Sequence, residues 1–346
     1  MGPYRNKTFE QVQTSELTFE GLVDKQVLQI FLLVFFVAAL GSISFFGVIF
    51  NAINMIVFIK QGFKDTVNIT LFSLAISDMG ALVPLVWESI CFNPLFAGAD
   101  LPFDSQDIVY LTAGWPHSCF SRITGWITAF VTFERCLCIA LPLKVKTIIT
   151  PRRTIFILAA IYSVMIASVL PVFYSIRLEP KSFPRRNETM LGLVYVPKGT
   201  FIENISISIN AFAQFASFFT VIVCTAILVQ NLVQKSKWRK SVSTSSAGAQ
   251  KSFSNRDKKV MKMVLFIASI FIACFLPSAV NFIAMSISDE YSIVGKYQNM
   301  FLLTWAIFTS LAATNSTVNI FVYYRMSSKF KEILDEMFSL AGGKSK

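Results

Sequence analysis

Seven long apolar runs, separated by short polar segments, constrain this chain more than any other feature of its sequence. A run of about 20 apolar residues is long enough to cross about 30 Å of hydrocarbon as a helix. Because every backbone N–H and C=O group in hydrocarbon needs a partner inside the protein, such runs must be helical. The sequence therefore predicts an all-α membrane protein, a seven-transmembrane helix bundle. The predicted spans cover residues 27–59, 67–91, 107–140, 152–176, 203–234, 258–287 and 297–324.

The amino-acid composition excludes most alternatives to a membrane protein. The 346 residues are 54% hydrophobic and 15% charged, whereas soluble domains average about 45–50% apolar and about 25% charged residues. A water-soluble chain of this size would expose more apolar surface than its charges could cover. The same numbers exclude a disordered or collagen-like chain. The six cysteines are scattered without a Cys-x-x-Cys pair, so the sequence predicts neither a metal site nor a disulfide framework.

Charged residues between the spans predict the orientation of the chain. One side of the membrane would hold the N-terminal tail, residues 1–26, and the loops at 92–106, 177–202 and 288–296. With the adjoining helix ends, this side has nine Lys and Arg residues against thirteen Asp and Glu residues; the other side has 21 against six. Lys and Arg favour the cytosolic side. We therefore expect a multi-pass plasma-membrane protein with its N-terminus outside. No role in binding nucleic acid is expected, despite the formal charge of +11.

The polar segments fit this orientation. The glycosylation sequons at Asn6, Asn187 and Asn204 all fall on the predicted outer side. On the inner side, the basic, serine-rich loop at 235–257 is typical of a flexible segment whose serines could be phosphorylated. Residues 325–346 are predicted to form a cytosolic amphipathic helix, which lies on the membrane lipid, and a tail. The apolar positions of that helix are Phe330, Ile333, Leu334 and Met337.

Five short motifs occur in the predicted spans, and together they resemble one family. They are Gly47-Val-Ile-Phe-Asn51, Leu74-Ala-Ile-Ser-Asp78, Phe133-Glu134-Arg135-Cys136, Cys274-Phe275-Leu276-Pro277 and Asn319-Ile-Phe-Val-Tyr323. Their order and placement resemble the rhodopsin-like (class A) G-protein-coupled receptors, and the resemblance covers residues 27–338. Residues 134–154 most resemble chemosensory-type orphan receptors of molluscs and related invertebrates.

The resemblance implies a receptor that converts an extracellular small molecule or peptide, such as a chemosensory cue, into activation of a heterotrimeric G protein. Arg135 would pair with Glu134 and with Asp257 across the inner ends of two helices, and would be released to the G protein on activation. Pro277 removes a backbone hydrogen bond within its helix, and the resulting kink would act as a lever. The residues that the resemblance implies for activation and coupling are Glu134, Arg135, Asp257, Pro277, Asn319 and Tyr323.

The resemblance also implies a polar pocket around Asp78. Ionisable groups at membrane depth are costly and usually functional. Carboxylate, hydroxyl and amide oxygens suit a hard cation, so the pocket could hold an allosteric Na⁺, and no other cofactor is expected. The alternative is a hydrogen-bonded network that only joins helices. The residues of this pocket are Asn51, Asp78, Thr124, Ser316 and Asn319, of which all but Asn51 are the candidate Na⁺ ligands.

A ligand pocket is implied between the outer halves of the helices. Glu88, His117 and Arg122 could recognise a zwitterion or a short polar ligand by charge pairing. Alternatively, Arg122 pairs with Glu88 inside the protein and His117 only hydrogen-bonds a neighbour. Amine ligands are disfavoured because His117 replaces the family's amine-binding aspartate. The candidate ligand-binding residues are Glu88, His117, Ser121, Arg122, Phe275, Phe282, Trp305 and Thr309.

The chain departs from the family pattern in its outer loop. The family has a disulfide between the top of the third helix and the second outer loop. Here the helix position is Tyr110, and residues 177–202 contain no cysteine. The resemblance therefore implies a loop that is either more mobile or held by other contacts.

Three other classes of function are weighed against a receptor for chemical ligands. A transporter or channel often shows internal inverted repeats and several charges at the midplane, but Asp78 and Arg122 are the only clear mid-span ions. A light receptor needs a lysine in the middle of the seventh helix, and residues 297–324 contain none. The chain has a single histidine and no carboxylate cluster. Neither a metal centre nor a Ser-His-Asp set can then be built, so no enzyme is predicted.

Overall fold

Seven helices in the structure are long and apolar enough to cross a membrane. The computed structural model describes residues 25–141, 144–183, 188–242, 255–288, 290–291 and 295–342. The predicted fold class, a seven-transmembrane helix bundle followed by a further helix, is therefore confirmed. The candidate membrane spans, called spans 1 to 7 from here on, are Gln26–Gln61, Thr66–Phe92, Ser105–Ala140, Pro151–Ser175, Gly199–Gln234, Lys259–Met285 and Gln298–Met326.

Two spans contain a widened, π-helical segment. Span 1 consists of helices Lys25–Leu32 and Gly41–Gln61 around the π segment Leu33–Leu40. Span 3 consists of helices Ser105–Val109 and Trp115–Ala140 around the π segment Tyr110–Gly114. The helices of spans 5 and 6 extend beyond the apolar stretch, and short helices occur in two of the loops. The remaining helices are Thr66–Phe92, Pro94–Ala97, Val145–Ile148, Pro151–Ser175, Gly199–Val242, Asn255–Ile287, Gln298–Met326 and Ser328–Gly342.

Spans 4 and 5 are joined by a β-hairpin that the sequence analysis does not predict. Strand β1 covers Ile176–Phe183 and strand β2 covers Glu188–Tyr195, antiparallel, with Ile176 opposite Tyr195. Pro180 and the charged residues of β1 obscure the alternation of apolar and polar residues on which a strand prediction depends.

The spans pack closely because small residues lie where two helices meet. A Cβ atom on Gly47 of span 1 would lie 2.2 Å from Thr317 Oγ1 of span 7, so only glycine fits there. Thr317 Oγ1 in turn donates a 3.2 Å hydrogen bond to the backbone oxygen of Ile43. Such close approach is the usual source of attraction between helices in lipid, where apolar burial alone contributes little.

The C-terminal helix Ser328–Gly342 docks against the bundle through one aromatic side chain. Phe330 is completely buried, and its ring centroid lies 5.5 Å from those of Phe58 and Tyr323. Phe338, on the same helix, is 62% exposed. The helix therefore has one face on spans 1 and 7 and a second face directed away from them.

We predict that Phe330→Ala destabilises the protein by about 3 kcal/mol, because truncating a fully buried phenylalanine loses its contacts and leaves a cavity. Thermal unfolding of the purified protein can be followed by labelling of its buried free cysteines. Phe338→Ala is the matched control and should leave the unfolding temperature unchanged. Equal unfolding temperatures for Phe330→Ala and the unmodified chain would contradict the docking described here.

Candidate functional site

A buried carboxylate at the centre of the bundle joins three spans. Asp78 of span 2 is completely buried. Its Oδ1 accepts a 2.9 Å hydrogen bond from Thr124 Oγ1 of span 3, and its Oδ2 accepts a 2.8 Å bond from Asn319 Nδ2 of span 7. Ser316 also contacts the carboxylate with its side chain. The structure thus brings together all four candidate Na⁺ ligands, and the donor set of carboxylate and hydroxyl oxygens fits a hard cation.

The network around Asp78 reaches two further spans. Asn51 Nδ2 of span 1 donates to the backbone oxygens of Gly47 and Ser316, at 2.9 and 2.8 Å. Tyr162 of span 4 donates a 2.8 Å hydrogen bond to the backbone oxygen of Ser73, five residues before Asp78. The sequence analysis includes Asn51 but misses Tyr162, because no local pattern marks a residue that contacts a backbone 89 positions away.

At one end of span 3, a second buried acid holds an arginine. Arg135 Nη2 lies 2.7 Å from Glu134 Oε1, and that oxygen also accepts a 2.5 Å hydrogen bond from Thr66 Oγ1 at the start of span 2. Glu134 is buried, and the side chain of Arg135 is 11% exposed. Asp257 lies on the helix of span 6, but its side chain lies outside the described residues. Of the two contacts predicted for Arg135, the pair with Glu134 is therefore the one that the described side chains include.

The other residues predicted for activation lie along spans 6 and 7. Pro277 is inside the continuous helix Asn255–Ile287. Tyr323 is buried against Phe58 and Phe330, and its hydroxyl has no hydrogen-bond partner among the described residues. Asn319 belongs to the Asp78 network, so one face of span 7 connects the predicted Na⁺ pocket to the end of the bundle that carries the C-terminal helix.

Two candidate ligand-binding residues lie close together on span 3. His117 Nδ1 lies 2.9 Å from the backbone oxygen of Ala81, a hydrogen bond to span 2. His117 and Arg122 are close enough to interact electrostatically. Arg122 is 92% buried, and its Nε and Nη2 atoms have no hydrogen-bond partner within the described part of the chain. A buried guanidinium without a partner is unfavourable, so these nitrogens make Arg122 a candidate for binding an anion.

Glu88 does not supply that partner. It is buried on span 2, and it forms no ion pair with Arg122 or any other described residue. Glu88 lies seven residues beyond Ala81, which places it about 10 Å further along the helix axis. The internal Glu88–Arg122 pairing considered from the sequence is thus not found among the described residues, whereas His117 does hydrogen-bond a neighbour.

The aromatic candidates fall into two ring contacts. The rings of Phe282 and Trp305 are in edge contact, with centroids 6.4 Å apart. Phe275 is buried 4.5 Å from the ring of Phe271, deeper in span 6. Thr309 uses its hydroxyl to donate to the backbone oxygen of Trp305, at 2.9 Å. Ser121 is buried on span 3. The contact of Phe282 with Trp305 therefore joins spans 6 and 7, whereas Phe275 packs against a ring of its own span.

The glycosylation candidates are only partly described. Asn204 is exposed on the helix Gly199–Val242, whereas Ser206 of the same sequon is buried. Asn6 and Asn187 lie outside the described residues.

Similar proteins match most of this chain in sequence. Residues 50–323 match the family described as 7 transmembrane receptor (rhodopsin family). A galanin-like G-protein-coupled receptor of Caenorhabditis elegans is 23% identical, covering 83% of this chain and 69% of its own length. The growth hormone secretagogue receptor type 1 of Mustela putorius furo is 25% identical, covering 82% and 75%. The neuromedin-U receptor 2 of Homo sapiens is 26% identical, covering 85% and 69%.

These matches and the seven-span bundle define a ligand-activated membrane receptor. The chain belongs to the rhodopsin family of seven-transmembrane receptors, the class A G-protein-coupled receptors. The resemblance of the five motifs is thereby confirmed, and the transporter or channel alternative is not favoured. The family is a class of receptors rather than of enzymes in general.

Proposed function

We propose that this protein is a plasma-membrane receptor with its N-terminus outside, which couples a short peptide ligand to a heterotrimeric G protein. The excess of Lys and Arg on the side of the C-terminal helix supports this orientation. Galanin and neuromedin U, after which two of the relatives are named, are peptides, which favours a peptide over other chemosensory cues. The observation that carries the ligand proposal is the unpaired, buried guanidinium of Arg122 beside His117.

Arg122 would bind a carboxylate of the ligand. A guanidinium forms two parallel hydrogen bonds with a carboxylate, and this pairing would satisfy the nitrogens that have no partner among the described residues. Glu88, which is buried without an ion pair among those residues, would bind an amine of the same ligand. The ring of Trp305, 37% exposed beside Phe282, would cover the apolar part of the ligand.

On the inner side, Arg135 would couple the receptor to the G protein. In the structure Glu134 pairs with Arg135, and Thr66 donates a hydrogen bond to the same carboxylate. Ligand binding biases an equilibrium between inactive and active conformations. In the active conformation, loss of the Glu134 contact would make the guanidinium of Arg135 available to the G protein. Asp257, on the helix of span 6, would supply a second carboxylate for Arg135. A Na⁺ ion held by Asp78, Thr124, Ser316 and Asn319 would favour the inactive conformation through the contacts between spans 2, 3 and 7.

For the coupling end, we predict that Glu134→Gln raises agonist-independent nucleotide exchange by roughly tenfold or more. A hydrogen bond to a charged group contributes about 1.5–3 kcal/mol, and 1.4 kcal/mol is a factor of ten; glutamine keeps an acceptor for Thr66 but loses the charge. Exchange is measured as binding of a non-hydrolysable GTP analogue to a panel of G proteins reconstituted with the receptor. Adding Arg135→Ala should abolish the increase, and Glu179→Gln, an exposed glutamate of β1, is the control. Full exchange in the double variant would contradict the coupling role.

For the ligand end, we predict that agonist peptides depend on a carboxylate. Each peptide of a screening library is made with its acidic groups free and with those groups as neutral amides. The acidic form should be roughly tenfold or more potent, the factor that a charged hydrogen bond contributes. Arg122→Gln should equalise the two forms, whereas Arg177→Gln, an exposed arginine of β1, should preserve the difference. Equal potency of the two forms on the unmodified receptor would exclude the role of Arg122.

For the Asp78 pocket, we predict that replacing Na⁺ by an organic cation at constant ionic strength raises agonist-independent exchange. Asp78→Asn should remove this dependence because the amide lacks the charge that attracts the ion, while it retains an acceptor for Thr124. Asp100→Asn, at an exposed aspartate, is the control. A Na⁺ effect that survives in Asp78→Asn would show that the ion acts elsewhere.

A further inference from the structure

The β1–β2 hairpin needs an external anchor. A hairpin of two strands is at best marginally stable alone. Only a few of its apolar side chains, such as Ile176, Phe183 and Met190, are buried, whereas Leu178 is 46% and Leu191 is 39% exposed. All six cysteines are free, and none lies in the hairpin or in the segment between spans 2 and 3. Non-covalent contacts must therefore fix the hairpin on the bundle.

One carboxylate contacts both strands of the hairpin. Asp107 Oδ2 accepts a 2.5 Å hydrogen bond from the backbone N–H of Leu193 in β2, and Oδ1 lies 3.3 Å from Lys181 Nζ in β1. The Asp104 side chain caps this end of span 3 and accepts a 2.9 Å bond from the Asp107 N–H, which fixes the backbone that carries the carboxylate. Bonds between a charged acceptor and these donors are the stronger class of hydrogen bond.

The sequence of β2 makes room for this carboxylate. A Cβ atom on Gly192 would lie only 2.7 Å from Asp107 Oδ2, so a side chain at this position would have to displace the acid. On the other side of Gly192, Leu191 exchanges two backbone hydrogen bonds with Pro102 and Asp104, at 2.9 and 3.1 Å. Residues 102–107 therefore run alongside β2. Backbone groups of Pro102 and Asp104 bond to Leu191, and the charged carboxylate of Asp107 bonds to Leu193.

A second polar contact lies just below. Tyr110 of span 3 donates a hydrogen bond to Glu203 of span 5, and Glu203 is buried. Burial and the neighbouring Glu203 raise the pKa of Tyr195 above its usual range, so this phenol at the end of β2 stays protonated. Near the end of β2, the neutral hydroxyl groups of Tyr110 and Tyr195 thus surround Glu203. Asp107 contacts the hairpin further along, at Leu193 and Lys181.

We propose that Asp107 is a positioning residue that anchors the β1–β2 hairpin to span 3, through Leu193 and Lys181, in place of a covalent link. The inference builds on the proposed function, because the anchored hairpin would form the rim of the ligand entrance. It follows that reducing agents leave the hairpin in place, and that loss of the Asp107 side chain releases the hairpin without unfolding the spans.

Hydrogen–deuterium exchange of the purified full-length receptor tests this without any ligand or G protein. In Asp107→Ala the amides of β1 and β2 should exchange about tenfold faster, with unchanged rates in spans 2 and 7. Asp107→Asn, which retains an acceptor for Leu193 but no charge for Lys181, should be intermediate, and Asp100→Ala should behave as the unmodified chain. Unchanged hairpin exchange in Asp107→Ala would overturn the proposal.

A cross-linked variant separates anchoring from misfolding. A Cβ atom on Gly192 would lie 2.7 Å from Asp107 Oδ2, so the sulfur atoms of Asp107→Cys and Gly192→Cys would lie near each other, and we expect them to form a disulfide under oxidation. Oxidised, this variant should exchange as slowly as the unmodified hairpin, and reductant should return it to the rate of Asp107→Ala. Rapid hairpin exchange in the oxidised, cross-linked variant would contradict the proposal. A protected hairpin in a receptor that activates no G protein would instead count against the proposed function alone.

Discussion

The free-energy cost of burying a carboxylate in the middle of a membrane bundle constrains how the spans pack. Asp78 is completely buried, where an unsatisfied polar group is several kcal/mol unfavourable. Both of its oxygens accept hydrogen bonds, one from Thr124 and one from Asn319. Three spans must therefore keep one arrangement for the acid to be satisfied, and Asn51 adds a fourth through the backbone of span 7.

Two arginines of span 3 differ in their surroundings, and the difference suggests their roles. Arg135 has a carboxylate 2.7 Å away, and this carboxylate is itself held by Thr66. Arg122 is more deeply surrounded by helices, but two of its nitrogens have no partner among the described residues. A paired guanidinium can hold a conformation until a competitor replaces its acid, whereas an unpaired one favours binding of an anion. The pairing of Arg135 suits its proposed role in G-protein coupling, and the lack of a partner for Arg122 among the described residues suits its proposed role in ligand binding.

Much of the fold follows from sequence patterns, because a helix in lipid needs only local information. The apolar runs and the five motifs predict the bundle and the residues that meet around Asp78. Contacts between distant segments leave no such pattern: Thr66 against Glu134, Tyr162 against Ser73 and Asp107 against the hairpin were all missed. The hairpin itself was missed because its strands are charged and contain a proline. Tyr110 and the cysteine-free loop leave two alternatives open in the sequence, a more mobile loop or one held by other contacts, and in the structure Asp107 contacts the hairpin.

The central claim, a bundle whose inner end opens when Arg135 leaves Glu134, can be tested by distance measurements between spin labels. Labels at Lys64→Cys, before span 2, and Lys259→Cys, at the start of span 6, report the separation of these exposed positions. The pair Lys64→Cys and Glu332→Cys, the latter on the docked C-terminal helix, serves as the reference. Addition of nucleotide-free G protein to the Glu134→Gln receptor should shift the first distance to longer values and leave the reference unchanged. Identical distributions for the first pair, with and without the bound G protein, would contradict the account.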